Sequence, residues 1–246
     1  MLEGLEDFIE IQKEENPDLF AMESLRKTLN EYFPRRVEET WHLSTRSAFQ
    51  ALEYRVKTMT RARVLDIEFL PPDPAIIRIQ PQIMMSVIGG LVRNAIENTP
   101  DHGKIRITGE NSPSGYRIKV RDYGVGIPKS EQLNIFEDFY PLQETDKYSS
   151  RSPYAFNAGG TGMDLLKIKI FSERLGFNMR FQSWRCSCIP TPHDVCPGDI
   201  TKCPSCSQPE DCYLNGGTEF IIEIPPALVG PDESPGQGTL SSTRLD

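Results

Sequence analysis

No apolar run in this chain of 246 residues is long enough to cross a bilayer. The longest, Ile83 to Val92, reaches about half of the roughly 20 residues a membrane helix needs. It also lies too far from residue 1 to be a signal peptide. Gly-X-Y periods, heptad arrays and long internal repeats are missing. So is any excess of positive charge: Lys and Arg number 27 against 35 Asp and Glu, a formal charge of -8. That balance argues against nucleic acid or an anionic membrane as a partner of the whole chain. Cysteine is confined to one window, with all six between Cys186 and Cys212. An even count can mean three disulfides, but this clustering leaves the remaining fold unstapled and marks a local insert. What these absences leave is a soluble, cytoplasmic chain with 38% apolar and 25% charged residues, long enough for one generous domain or two small ones.

The N-terminal stretch reads as helical and strongly charged, broken at Asn16-Pro17 and Phe33-Pro34, where proline disfavours helix in the residue before it. The longest helix candidate runs from about Arg35 to Arg63, with Trp41, Phe49, Leu52 and Val56 among its apolar positions. Val64 to Phe69 reads as extended, Leu70-Pro-Pro-Asp-Pro74 as a rigid connector, and Ala75 to Ile79 as a short strand. A helix follows from about Pro81 to Asn98. Past Thr99-Pro100 the period changes to alternation: Ile105 and Ile107 mark one strand, and Tyr116, Ile118 and Val120 its neighbour. A loop-rich stretch from Tyr123 to Gly160 leads to a helix from about Gly162 to Leu175, then strands at Phe177–Ser183 and Thr218–Ile224. This order predicts an α+β fold, a two-layer α/β sandwich with a mixed sheet packed on helices.

On the 81–98 helix, Met84, Ile88, Leu91, Val92 and Ala95 share the core side at 3.6 periodicity. Gly90, Asn94 and Glu97 line the opposite side, which in most helices is simply solvated. The segments downstream raise its interest. Asp122-Tyr-Gly-Val-Gly-Ile127 ends a strand with a carboxylate and two glycines, which alone is common turn chemistry. Phe136-Glu-Asp-Phe-Tyr140 supplies an aromatic pair able to pack the base of a loop. Gly159-Gly-Thr-Gly-Met163 sits directly before a helix, where backbone N–H groups and the helix N-terminus favour phosphate oxygens.

In order and spacing, Asn94, Asp122-x-Gly-x-Gly126, Phe136-Glu-x-Phe139 and Gly160-Thr-Gly162 resemble the N, G1, F and G2 boxes of sensor histidine kinases. Those kinases share their ATP-binding domain with gyrase, Hsp90 and MutL. The resemblance covers about 64–225, and the P-loop pattern G-x-x-x-x-G-K-[ST] is absent. It implies ATP and Mg²⁺ as ligands. Asp122 would accept a hydrogen bond from the adenine amino group, worth about 1.5–3 kcal/mol. Gly124 and Gly126, with Ile127 beside them, would let the backbone lie against base and ribose, and Thr218 matches the threonine next to that aspartate. Asn94 would hold Mg²⁺ through its side-chain oxygen. Residues 141–160 would form a lid over ATP, with Lys147 and Arg151 as candidate phosphate contacts and Gly160, Thr161 and Gly162 at the phosphates. The implied partners are a histidine-containing dimerisation domain and a response regulator, with a homodimer as one option. The expected division is a helical region over 1–63, the ATP-binding domain over 64–225 with a Cys-rich insert at 185–215, and a disordered Pro-, Gly- and Ser-rich tail over 226–246.

Three positions depart from the pattern. Gly90 stands where the family carries Asn or Glu, Glu97 where it carries Lys or Arg, and Asp164 replaces the second glycine of the usual Gly-Leu-Gly. Two added carboxylates near a triphosphate repel it unless they face away or act through metal, so weaker or more Mg²⁺-dependent binding is expected. The chain has only His42, His102 and His193, and none carries the acid and proline that follow a phospho-acceptor. Of these, His42 is read as a helix residue. The acceptor is therefore expected on another domain or chain. In the insert, Cys203-Pro-Ser-Cys206 is a thiolate pair suited to Zn²⁺, with Cys196, Cys212 or His193 available to complete a site. An iron–sulfur cluster, a redox-sensing thiol set or plain thiols are the alternatives. Two rival functions follow: an ATP-sensing pseudokinase working through partner contacts, and a metal or redox sensor built on the insert.

Overall fold

The computed structural model describes residues 41–133, 135, 154–158, 163–191 and 194–232. Its elements run β1 (Leu43–Ser44), α1 (Thr45–Met59), β2 (Leu65–Phe69), β3 (Ile76–Ile77), α2 (Pro81–Asn98), β4 (Gly103–Ser112), β5 (Gly115–Asp122), α3 (Met163–Leu175), β6 (Asn178–Trp184), α4 (Pro209–Tyr213), β7 (Gly217–Ile224) and β8 (Val229–Gly230). The main sheet has the order β2-β4-β5-β7-β6. Strand β2 is parallel to β4, and the other neighbouring pairs are antiparallel. Strands β1, β3 and β8 form a small second sheet.

Alternation in the strands decides which face helices cover. Ile105 and Ile107 on β4, Tyr116, Ile118 and Val120 on β5, and Phe220, Ile222 and Ile224 on β7 are all buried. Against them α1 packs Phe49, Leu52 and Val56, α2 packs Met84, Ile88, Leu91 and Val92, and α3 packs Ile168 and Phe171. Each such side chain contributes about 1.5–3 kcal/mol of burial. The intervening strand positions carry charge, paired across strands as Lys104 and Arg106 with Glu68, Lys119 with Glu110, and Arg117 with Glu223. Such half-exposed pairs add little stability but keep that face solvated. The outcome is the two-layer α/β sandwich that the periodicities predict.

Helix α2 begins at Pro81, where the missing N–H is no loss, and ends just before Thr99-Pro100. Its carboxyl end is gripped by Arg63. That guanidinium donates to the carbonyls of Thr99 at 2.7 Å and Tyr154 at 2.8 Å and to the Asp101 carboxylate at 2.7 Å.

Two local expectations are corrected. The helix read over about 35–63 begins only at Thr45, because Leu43–Ser44 pair with Ile76–Ile77 as a strand. The Thr45 hydroxyl then donates to Asp73 O and accepts from Ala75 N, anchoring the first turn. His42 consequently precedes β1 instead of lying on a helix. The chain past Pro225 also stays ordered for longer than its composition suggests: Pro226–Leu228 form a 3-10 turn, and Val229–Gly230 pair with β3. Residues 1–40 and 233–246 lie outside the described residues. Among those described, no helix is long and apolar enough to cross a membrane.

Candidate functional site

Strand β5 ends at Asp122, and sheet register chooses its company. Asp122 pairs with Thr218 on β7, and Thr218 pairs with Ser183 on β6. Register partners point to the same face, so one carboxylate and two hydroxyls form a row at the end of the buried face. Asp122 is 3% exposed. Its Oδ1 accepts the N–H of Gly124 and the N–H of Thr218, each at 3.0 Å. Burial still outweighs these two bonds and pushes the carboxyl pKa up to about 7. The Thr218 and Ser183 hydroxyls are 2.9 Å apart, and Ser183 Oγ accepts the N–H of Ile127 at 2.8 Å. Ser183 thus ties the end of the glycine loop to the sheet.

That loop is squeezed from two sides. Val125 N–H donates to Asn98 O at the end of α2, and Val125 O accepts Cys186 N–H from the start of the insert. A Cβ on Gly124 would fall 2.0 Å from Asn98 O. One on Gly126, whose φ is 65°, would fall 1.8 Å from Trp184 O. Backbone can pass here only without side chains. The result is a tightly packed, side-chain-free stretch of backbone beside a buried acceptor.

On α2, Gly90 is buried while Asn94 and Glu97 are half-buried. The Glu97 carboxylate accepts Tyr154 N–H at 3.3 Å, and the Glu97 carbonyl accepts Asn157 N–H at 2.7 Å. Burial raises the Glu97 pKa against that bond. One turn earlier, Arg93 forms an ion pair with Asp164 in the first turn of α3. Gly90 faces that turn: a Cβ there would sit at ordinary contact distance, 3.7 Å, from Asp164 Cβ and from Ile168 Cδ1.

A model of the histidine kinase-, DNA gyrase B-, and HSP90-like ATPase family matches residues 79–228. The chain belongs to this family. Among its curated relatives, the phosphate regulon sensor protein PhoR of Pseudomonas aeruginosa is 36% identical over 86 residues, 35% of this chain and 18% of that protein. The hybrid signal transduction histidine kinase D of Dictyostelium discoideum is 32% identical over 160 residues, 63% of this chain and 9% of that protein. The chain therefore spans less than a fifth of the length of either relative. Among solved structures, the catalytic domain of histidine kinase ThkA superposes with a TM-score of 0.51 at 21% identity, over 76% of this chain and 95% of that one. The mycobacterial sensor histidine kinase MprB gives 0.50 at 16% identity, over 75% and 97%. At these identities the likeness speaks for the fold. ThkA has also been solved in complex with the response regulator protein TrrA.

Within the family's pattern, the structure brings Asp122, Gly124, Gly126, Ile127 and Thr218 together where β5 ends beside β7, with Asn94 on α2. Lys147, Arg151, Gly160, Thr161, Gly162, the Phe136–Phe139 box and His193 lie outside the described residues. The two carboxylates expected to repel a triphosphate are both engaged, Asp164 by Arg93 and Glu97 by a backbone N–H. Sequence reasoning missed Ser183, Arg93 and Arg63. Ser183 was within reach, because it continues the alternation of Met179 and Phe181 toward the same face.

Behind the glycine loop, the cysteine segment folds onto the ends of α2 and β6. Asp101 N–H donates to Gly198 O, Ile200 N–H to Asp101 O, and Phe156 packs over Gly198. Cys186, Cys188, Cys196, Cys203, Cys206 and Cys212 all line one cavity of about 80 Å³, and all are unbridged. The sulfurs of Cys188, Cys203 and Cys206 lie within 4.8 Å of one another. Burial and neighbouring thiols push Cys206 and Cys212 up to about 12.

Proposed function

We propose that the chain is the ATP-binding catalytic domain of a sensor histidine kinase, presenting Mg-ATP for phosphoryl transfer to a histidine on another domain or chain. The observation that carries this reading is the buried Asp122 carboxylate, fixed by two backbone N–H groups beside a tightly packed glycine loop. In this reading the ionised carboxylate accepts from the adenine amino group, which selects adenine over guanine. Gly124, Gly126 and Ile127 let the base and ribose approach the backbone, and Thr218, steadied by Ser183, completes the pocket. Asn94 fits a hard cation through its amide oxygen, and Mg²⁺ held there would neutralise phosphate charge. Lys147, Arg151 and the Gly160-Thr161-Gly162 run are assigned to the phosphates. The domain positions the nucleotide so that the γ-phosphoryl leaves ADP and joins a ring nitrogen of the acceptor imidazole.

The partners in this reading are a histidine-containing dimerisation domain, a second copy of it, and a response regulator; the ThkA–TrrA complex supports the last. A cytoplasmic location follows from such partners. We also assign a thiolate-bound metal to the cysteine segment. The rival reading, an ATP-sensing pseudokinase, rests on Gly90, Glu97 and Asp164. The Arg93–Asp164 pair counts against it, because the pair offsets one of the two carboxylate charges on which that reading depends.

The deciding experiment is calorimetric titration of reduced protein with Mg²⁺ and a non-hydrolysable ATP analogue, with Asp122→Asn as control. Binding that weakens about 10- to 100-fold in the control supports the adenine pocket. No binding at millimolar analogue sinks the reading. Phosphotransfer to a supplied acceptor domain then separates kinase from pseudokinase.

A further inference from the structure

The cysteine segment has too little apolar material to hold its own shape. Between residues 185 and 215, the buried apolar side chains among the described residues are Ile189 and Ile200, with the thiols Cys186 and Cys212. A segment of this size without a core ordinarily needs a disulfide or metal staple. The backbone nevertheless sets up three separate turns that aim sulfur at one cavity. Cys206 N–H donates to Cys203 O at 3.3 Å, closing the Cys-Pro-Ser-Cys knuckle. Ile189 N–H donates to Cys186 O at 3.1 Å, closing the turn that carries Cys188. Asp211 accepts the N–H groups of Ser207 and Gln208, fixing the start of α4, on which Cys212 lies. Cys212 lines the same cavity as Cys188, Cys203 and Cys206.

We infer that Cys188, Cys203, Cys206 and Cys212 form a tetrathiolate site for one zinc ion that staples the insert onto the nucleotide pocket. Four sulfurs at about 2.3 Å from a tetrahedral zinc stand roughly 3.8 Å apart. Three of the proposed ligands already lie within 4.8 Å of one another, so a small inward shift brings them to bonding distance. A three-way grouping suits a metal better than a redox pair, which needs only two sulfurs in contact. An iron–sulfur cluster interposes its own irons and sulfides between cysteine sulfurs, and so needs them farther apart than a single ion does. The ligand set differs from the sequence expectation at one position, with Cys188 in place of Cys196. Spacing could not find Cys188, because it is brought in by the fold from the far stem of the segment. This inference deepens the metal assignment made above and is independent of the nucleotide reading.

The test is metal analysis of the full chain purified without chelator, together with Co²⁺ titration of the reduced, metal-stripped protein. About one zinc per chain is expected, with the intense visible absorption of tetrahedral thiolate-bound cobalt on titration. Cys203→Ser and Cys188→Ser should each abolish retention, while Cys196→Ser should retain zinc. Should the serine variants fail to fold, the cobalt spectrum of the wild-type chain still decides. Absence of both zinc and the cobalt bands overturns the site, as does iron with acid-labile sulfide. Equal retention in Cys188→Ser and wild type overturns the ligand set. None of these readouts uses nucleotide, so they stand or fall apart from ATP binding.

Discussion

The Asp122 site and the cysteine insert meet at Val125 and Cys186, yet they are held by opposite means. The site is made by strand register: Asp122, Thr218 and Ser183 sit in one row because β5, β7 and β6 pair in one way. The insert is built mainly of turns, with only Ile189, Ile200, Cys186 and Cys212 as its buried apolar side chains among the described residues. The first region inherits its rigidity from a sheet whose apolar face is covered by three helices. The second has no such backing and, in the reading proposed above, depends on what its thiols bind. Functional geometry can therefore be supplied by packing or by ligation, and here one region leans on the other through a few hydrogen bonds.

The strongest way to break the contrast is at Gly126. Substitution by Ala should cripple folding and nucleotide binding together, since the new Cβ meets a carbonyl at 1.8 Å and φ is 65°. Gly176→Ala, with φ 75° and open space around it, should cost only about 1 kcal/mol. Thermal melts of the two variants make the comparison, and equal losses would show that close approach is not what the glycine loop requires.

Acid should separate the regions next. With its pKa near 7, Asp122 is largely protonated at pH 6 and largely ionised at pH 8, so nucleotide affinity should be about tenfold weaker at pH 6. Stability of the free protein should move the other way. A carboxyl raised from 3.8 to about 7 binds more protons folded than unfolded, so its contribution declines as pH rises through that window. Calorimetry across pH checks the affinity, and Asp122→Asn should flatten the response.

Removing metal from the insert is expected to act less strongly on the pocket. Chelation should loosen 186–212 to limited proteolysis and weaken nucleotide binding only a few-fold, because the insert's stem meets the loop through Cys186 N–H to Val125 O and the Arg185 guanidinium to Gly126 O. Unchanged proteolysis after chelation would show the insert to be self-supporting. The smallest effect belongs to Arg93→Gln. Releasing Asp164 near the phosphate side should raise the analogue's Kd about two- to threefold, more at low salt than at high. No salt dependence would place Asp164 away from the phosphates.

Much of this was legible before any coordinates. The 3.6 period of Met84, Ile88, Leu91 and Ala95 and the alternation of Ile105, Ile107, Ile118 and Val120 are local signals, and both elements formed where they predict. Asp122-x-Gly-x-Gly126 and Thr218 were legible through their resemblance to the family's boxes, and the two glycines stand where backbone passes too closely for a side chain. Leu43–Ser44 was not, for its extended form exists only by pairing with Ile76–Ile77. Ser183 and Arg93 were missed for the same kind of reason, since their partners are distant in the chain.

By itself, the sequence determined the layer architecture, the family and the glycines of the loop after Asp122, because periodicity and glycine demands act over a few residues. Only tertiary structure decided that Asp164 is paired, that Glu97 is occupied by a backbone N–H, and that Cys188 joins Cys203 and Cys206. Charges and thiols interact through space, and which of them meet depends on how helices and turns pack, which no local spacing encodes.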